Sequence, residues 1–347
     1  METNIIQQDT GHRRTISTSV PPNNCPNNSE TCPNKMPRYN RLAKLRRDKA
    51  FIRRNPRSYS KSLRRRYAPK RRKYGGRKMT AKRILNLTAR KKRDTMLAWT
   101  NSTSTTQTGG TTYSTNAAVV NGGLSDTNAA TFVWCATARD NTKNLAAEKG
   151  TVYESATRTS STPYMVGLSE HCEIQVNSGM PWQWRRICFT YKGPLLTNTT
   201  SFAMALETSN GWTRVLNQLA GNPGSDPQYS LFVKLFKGQN TSDWVDPMTA
   251  RTDNSRVTIK YDKTITIAAG NEEGVIRKYK RYHAMNQTLV FDDDELGGGE
   301  NATSYSNQGK AGMGDYYVVD MFRARDGSAA ADKLYFRPTS TLYWHEK

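Results

Sequence analysis

Twenty-five lysines and arginines lie between Arg38 and Arg93, against a single carboxylate, Asp48. They come in clusters: Arg46-Arg47, Arg53-Arg54, Arg64-Arg65-Arg66, Lys70-Arg71-Arg72-Lys73, Arg77-Lys78, Lys82-Arg83 and Arg90-Lys91-Lys92-Arg93. Side chains of this kind neutralise phosphates and release the counterions that surround a nucleic acid. Tyr39, Phe51, Tyr59, Tyr67 and Tyr74 are interleaved among them, and spaced rings stack on unpaired bases without reading their sequence. The mixture suits single-stranded nucleic acid. Arginine outnumbers lysine, which favours forked phosphate contacts over simple solubility. The runs Lys70-Arg71-Arg72-Lys73 and Arg90-Lys91-Lys92-Arg93 also meet what a nuclear import receptor needs, an exposed basic run.

The same segment carries +24 while the 347-residue chain carries +23, so everything outside it is close to neutral. A block of like charge repels itself and buries no core. Residues 38–95 are therefore expected to be a disordered basic arm. The preceding residues, 1–37, rich in Asn, Thr, Ser and Pro, read as a disordered leader. Folding falls to residues 96–347. All seven tryptophans, from Trp99 to Trp344, lie after Arg93, an ample aromatic supply for one core.

The elements that would carry the arm are short and β-like. Phe132 to Thr137 is apolar on both faces; Ile187, Phe189 and Tyr191 recur at period two, as do Val257, Ile259 and Tyr261 followed by Ile265 and Ile267. Tyr229, Leu231, Val233 and Leu235 alternate likewise, and Tyr316 to Phe322 and Leu334 to Phe336 complete the set. Six or more such strands between Gly-, Pro- and Asn-rich loops predict an all-β antiparallel sandwich. One helix is expected in a loop, where Trp212, Val215, Leu216 and Leu219 fall at i, i+3, i+4 and i+7 between Asn210 and Gly221-Asn222-Pro223. The segment Val275 to His283 is loaded with Arg277, Lys278, Lys280 and Arg281. Such charge either guards a sheet edge against aggregation or continues the nucleic-acid contact of the arm.

Other chemistry finds less support. Five cysteines without regular spacing do not make a secreted disulfide framework. Cys135 and Cys188 read as small buried hydrophobes, and Cys25 and Cys32 fit no compact zinc module. His171 and Cys172 point to opposite faces of a strand, so they cannot chelate together. Asp292-Asp293-Asp294-Glu295 lacks the alternating spacing of a calcium loop. No nucleophile elbow, Walker loop, zinc-protease motif or Rossmann glycine triplet occurs, which argues against an enzyme; no cofactor or metal is expected. No window approaches the run of about 18 apolar residues that spans a membrane, so a membrane partner is not expected.

Three blocks add a resemblance. They are Met79-Thr80-Ala81-Lys82-Arg83-Ile84-Leu85-Asn86-Leu87-Thr88 running into Arg90 to Leu97; Asn177-Ser178-Gly179-Met180-Pro181-Trp182-Gln183-Trp184-Arg185-Arg186-Ile187-Cys188-Phe189; and Gly270-Asn271-Glu272 with Tyr282-His283, Leu289 to Glu295 and Gly312 to Tyr317. In this order they resemble the capsid proteins of genomoviruses, the gemycircularvirus-like group, and more distantly geminivirus coat proteins. The resemblance implies that the sandwich is a jelly roll. It implies a shell of many identical copies around circular single-stranded DNA, and an inward-facing arm that also directs entry to the host nucleus through import receptors. Residues 1–35 depart from the pattern, which more often begins near Met36. The competing expectation is a non-capsid nuclear DNA-binding or shuttle protein with the same arm.

Overall fold

A computed structural model describes Arg46 and residues 79–107, 110–124, 128–143, 146–196, 202–219 and 227–347. Residues 1–77 and 78–347 form separate units. The second unit begins with helix α1 (Ala81–Thr88) and is built on eight long strands: β1 (Arg90–Met96), β2 (Ala130–Cys135), β3 (Tyr164–Val176), β4 (Trp182–Tyr191), β5 (Thr258–Ile267), β6 (Val275–Thr288), β7 (Asp315–Ala324) and β8 (Lys333–Glu346).

Their pairing follows one rule. The first strand pairs with the last, the second with the seventh, the third with the sixth and the fourth with the fifth, all antiparallel. Two further pairings, β3 with β8 and β4 with β7, join these ribbons into the sheets β1-β8-β3-β6 and β2-β7-β4-β5. A long antiparallel ribbon wrapped in this way is a jelly roll, a double-sheet solution to burying one apolar face of each sheet. The all-β antiparallel sandwich expected from periodicity is the fold. Short strands extend it: Ala118–Asn121 pairs with β8 beside β1, and Arg214–Leu219 and Ala98–Thr100 continue the second sheet beyond β2.

The two sheets differ on their outer sides. In the second sheet, alternate residues face opposite cores. Trp182, Trp184 and Phe322 pack toward the first sheet, while Ile187, Phe189, Val319 and Met321 pack on helix α2 (Pro227–Leu235) through Leu231, Phe232 and Leu235. Along β2, β4 and β7 nearly every residue on both faces is buried, which is why Phe132 to Thr137 shows no polar alternation, whereas the edge strand β5 is largely accessible. Among the described residues the first sheet is covered on its inner face only, and β3 and β8 alternate buried and accessible residues along their length.

The expected helix and one expected strand change places. Trp212, Val215, Leu216 and Leu219 have helical spacing, yet Arg214–Leu219 is a strand, fully buried, with Val215, Leu216 and Leu219 directed into three different apolar clusters. A strand buried on both faces has no reason to alternate, so its spacing carries no signal. Tyr229 to Leu235 alternates like a strand but forms α2, whose buried residues Pro227, Gln228, Leu231, Phe232 and Leu235 make one helical face. Pro227 opens it, where a missing N–H costs nothing, and Gln228 Nε2 donates to Ala129 O at 3.0 Å and Thr131 Oγ1 at 2.9 Å.

Candidate nucleic-acid interface

The uncovered face of the first sheet is where the basic residues of the folded unit gather. Because strand side chains alternate, β1 presents Lys91, Arg93 and Thr95 outward while Lys92 and Met96 are buried. Register then sets the neighbours. Arg337 on β8 lies opposite Glu173 on β3, which lies opposite Lys278 on β6; Thr339, His171 and Lys280 form the next row. Arg93 lies opposite Tyr343 and Lys91 opposite His345. Adjacent strands are about 4.8 Å apart, so Arg337 and Lys278 are separated by roughly 10 Å with one acid between them. Glu173 is the single carboxylate at the outward positions of these four strands. Hydrogen bonds from Gln175 and from Lys278, which it meets at 3.4 Å, hold it below the usual carboxylate range. Tyr282, 58% exposed, lies over Gly167, where a Cβ would come within 2.7 Å of its hydroxyl. The face thus offers separated cations and an exposed ring on a rigid surface, the two components of sequence-tolerant single-strand binding.

The strand period divides a group that the sequence runs together. Lys278 and Lys280 point to the open face, whereas Arg277 and Arg281 turn to the opposite side, at the edge where β5 and β6 leave the sandwich open. The Arg281 guanidinium lies 5.5 Å from the Tyr279 ring centre and 5.8 Å from that of Trp184. Arg277 Nη2 donates to Ala268 O at 3.5 Å. β6 is an edge strand, so its charge also blocks a further strand from pairing.

The last cluster of the arm belongs to the sandwich. Arg90 to Arg93 form β1, hydrogen-bonded along β8, so the folded unit starts earlier than residue 96. Arg90, Lys91 and Arg93 are exposed, but Lys92 is buried: its ammonium meets Glu346 at 3.0 Å and donates to Thr157 O at 2.7 Å and Thr159 Oγ1 at 3.1 Å. Glu346 is itself buried and would be an uncompensated charge without that partner. Lys92 is therefore withdrawn from the exposed basic run read as an import signal, which a β-paired strand does not present as a free peptide. Upstream, Thr80 caps α1 by accepting from the Arg83 N–H at 3.4 Å, and Arg83 is exposed. Arg46 is an exposed helical residue. Arg47, Arg53, Arg54, Arg64, Arg65, Arg66, Lys70, Arg71, Arg72, Lys73, Arg77 and Lys78 lie outside the described residues, as does the side chain of Lys82.

Beneath the open face sits a charge layer that sequence reading overlooks. Arg186 and Arg214 lie between the sheets, each bonded to both Glu170 and Asp320. Arg186 Nε reaches Asp320 at 2.7 Å, Arg214 Nε reaches Glu170 at 3.0 Å and its Nη2 reaches Asp320 at 2.9 Å. Trp184 Nε1 donates to Asp320 at 2.8 Å and Ser340 Oγ to Glu170 at 2.7 Å. Burial alone would raise Glu170, but the flanking guanidiniums of Arg186 and Arg214 overcome it and hold the carboxyl at about 2. Two cations and two anions balance, so this layer stays inside. The available signal was an acid at an inward position of an apolar run, as in Val318-Val319-Asp320-Met321. Trp182 and Trp184 are buried core residues beside this layer. His171 is exposed and Cys172 buried, on opposite faces.

The acidic run does not converge on a centre. Asp293 is paired with Arg158, whose guanidinium lies 3.9 Å above the Phe291 ring, while Asp292, Asp294 and Glu295 are exposed. Among the described residues no three His, Cys, Asp or Glu side chains gather as metal ligands, and no helix is long and apolar enough to cross a membrane.

No protein-family model matches the chain, and no curated protein matches it. Among solved structures it is aligned with VP1 of the Trichodysplasia spinulosa-associated polyomavirus. The complex of that protein with 3'-sialyllactose is 11% identical over 66% of this chain and 74% of VP1, with a TM-score of 0.10. VP1 alone is 12% identical over 67% and 78%, with a TM-score of 0.09. Scores of this size carry no argument about fold or function, and the strand pairing above stands by itself.

Proposed function

We propose that the chain is a capsid protein of the genomovirus type, whose jelly roll is the repeating unit of a small icosahedral shell and whose basic arm packages circular single-stranded DNA. The observation that carries this reading is the covalent run from the +24 segment into β1 of a jelly roll whose open face, starting with Lys91 and Arg93, is itself basic. A chain that held nucleic acid by its arm alone would need no such face. Lys278, Lys280 and Arg337 extend the binding surface, and the arm supplies most of the charge. Lys70 to Lys73 is the import signal for assembly in the host nucleus.

Electron microscopy of the purified chain, with extraction and sizing of its nucleic acid, tests the reading. Closed uniform particles holding single-stranded DNA are expected. Sixty arms supply about 1,400 positive charges, enough to neutralise a strand on the order of one to two thousand nucleotides. A small oligomer that persists at every salt concentration with DNA present would instead identify a nuclear DNA-binding protein.

A further inference from the structure

Two elements of the folded unit stand outside its cores with their described side chains uncovered, and their charges are opposite. The first is α1. Ile84, Leu85 and Leu87 are 43%, 44% and 74% exposed, beside the exposed Arg83 and Arg90. An isolated helix of eight residues does not hold itself in water, because its few hydrogen bonds do not offset nucleation. The second is the hairpin of Asp294–Leu296 paired with Gly299–Asn301, in which every residue is exposed and Leu296 is 69% exposed. Two three-residue strands are likewise marginal alone.

The hairpin is nevertheless fixed at its root. Asp293 is locked to the buried Arg158, and on the returning strand Glu300 accepts from Asn141 Nδ2 at 3.1 Å and Ser161 Oγ at 3.0 Å. A firm base and a bare tip make a projection, with a leucine preceded by Asp294 and Glu295. The helix is its complement, apolar side chains flanked by cations. We propose that the hairpin of one copy seats on α1 of a neighbouring copy, Leu296 against Ile84, Leu85 and Leu87, with Asp294 and Glu295 against Arg83 and Arg90. A nucleic acid over α1 would satisfy the arginines but leave the leucines against phosphate. Only a surface both acidic and apolar matches the whole helix, and this chain carries one. The inference deepens the shell reading and rests on it.

Charge exchange in the full chain tests it, with particle yield followed by sedimentation and electron microscopy. Asp294→Lys with Glu295→Lys, and separately Arg83→Glu with Arg90→Glu, should each lower particle yield at least tenfold. Combining all four should restore it. All four residues are exposed, and circular dichroism checks that each variant folds. As a second readout, Leu87→Cys with Leu296→Cys should give inter-chain disulfides in oxidised particles that neither single substitution gives. Reversed variants that assemble like the parent, a fourfold variant that does not recover, or no cross-link in the cysteine pair would overturn the docking. Loss of DNA binding without loss of particles in the arginine variant would assign α1 to nucleic acid instead. A parent chain that forms no particles sinks the shell reading itself, and the docking with it; particles indifferent to these changes sink the docking alone.

Discussion

Arg186 and Arg214 lie between the two sheets; Lys278, Lys280 and Arg337 lie on the outer face of one of them. Both groups are cations on strands, yet their work is opposite. Inside, each guanidinium is held by two carboxylates, and the group closes on itself as a neutral layer. Outside, Lys91, Arg93, Lys278, Lys280 and Arg337 are all exposed and share one acid at the outward positions of their strands, Glu173, so the face keeps a net positive charge. What separates paired charge from free surface charge is therefore the count of partners within reach, which is a property of the sheet and not of the residue.

The sharpest way to break this contrast is to remove an acid from the inner layer. Asp320→Ala leaves Arg186 and Arg214 undercompensated in a dry site and should cost about 3–5 kcal/mol, read as a lower denaturation midpoint or as failure to fold. If stability held, the layer would be solvated and the distinction lost. Adjacent lysines give a second comparison within one strand. Lys92→Ala strands the buried Glu346 and should destabilise by about 3 kcal/mol, while Lys91→Ala, one residue away on the outer face, should stay within about 0.5 kcal/mol. Equal effects in thermal unfolding would mean that β1 does not alternate as described.

Titration sharpens the interior side. His283 is buried, and its pKa is depressed to about 4, chiefly by desolvation and then by Arg186. The unfolded ring protonates near 6.5, so between pH 6.5 and 4 the unfolded chain binds the extra proton and stability falls as pH drops. Asp315 has the opposite slope. Its carboxyl is raised by burial from 3.8 to about 6, so a contribution fully present below 3.8 is lost as pH rises to 6. His283→Phe keeps the ring and removes the first titration; denaturation across this range should lose a component on the order of 3 kcal/mol. An unchanged profile would place the histidine in contact with water. The outer face should tolerate even a combined change. The triple variant Lys278→Ala, Lys280→Ala, Arg337→Ala should stay within about 1 kcal/mol of the parent. Its single-stranded DNA affinity should fall, and the slope of log affinity against log salt should flatten by about 2 if three phosphate contacts are lost. An unaltered slope would confine binding to the arm.

Some of this molecule is legible without coordinates. Charge is additive along a chain, so the +24 segment and the neutral remainder follow from the residues alone, and so does the chemistry of the arm. Alternation is equally direct where one face is wet: the β5 segment and the opposed faces of His171 and Cys172 follow from period two. Where both faces are dry, the signal vanishes. Arg214–Leu219 kept a helical spacing by coincidence because three clusters bury it, and α2 looked like a strand because Gln228 and Phe232 lie off the alternating set. The inner charge layer was illegible for a related reason. Glu170, Arg186, Arg214 and Asp320 come from four different strands, and only the register of β3, β4, β7 and Arg214–Leu219 brings their charges within hydrogen-bonding distance. By itself the sequence determined that the cations of this chain gather at one end, in a pattern suited to a polyanion, and that the remainder folds as a β-sandwich. The tertiary structure alone decided which cations are paired inside and which stay exposed on the outer face, because pairing depends on distances that only the closed jelly roll sets.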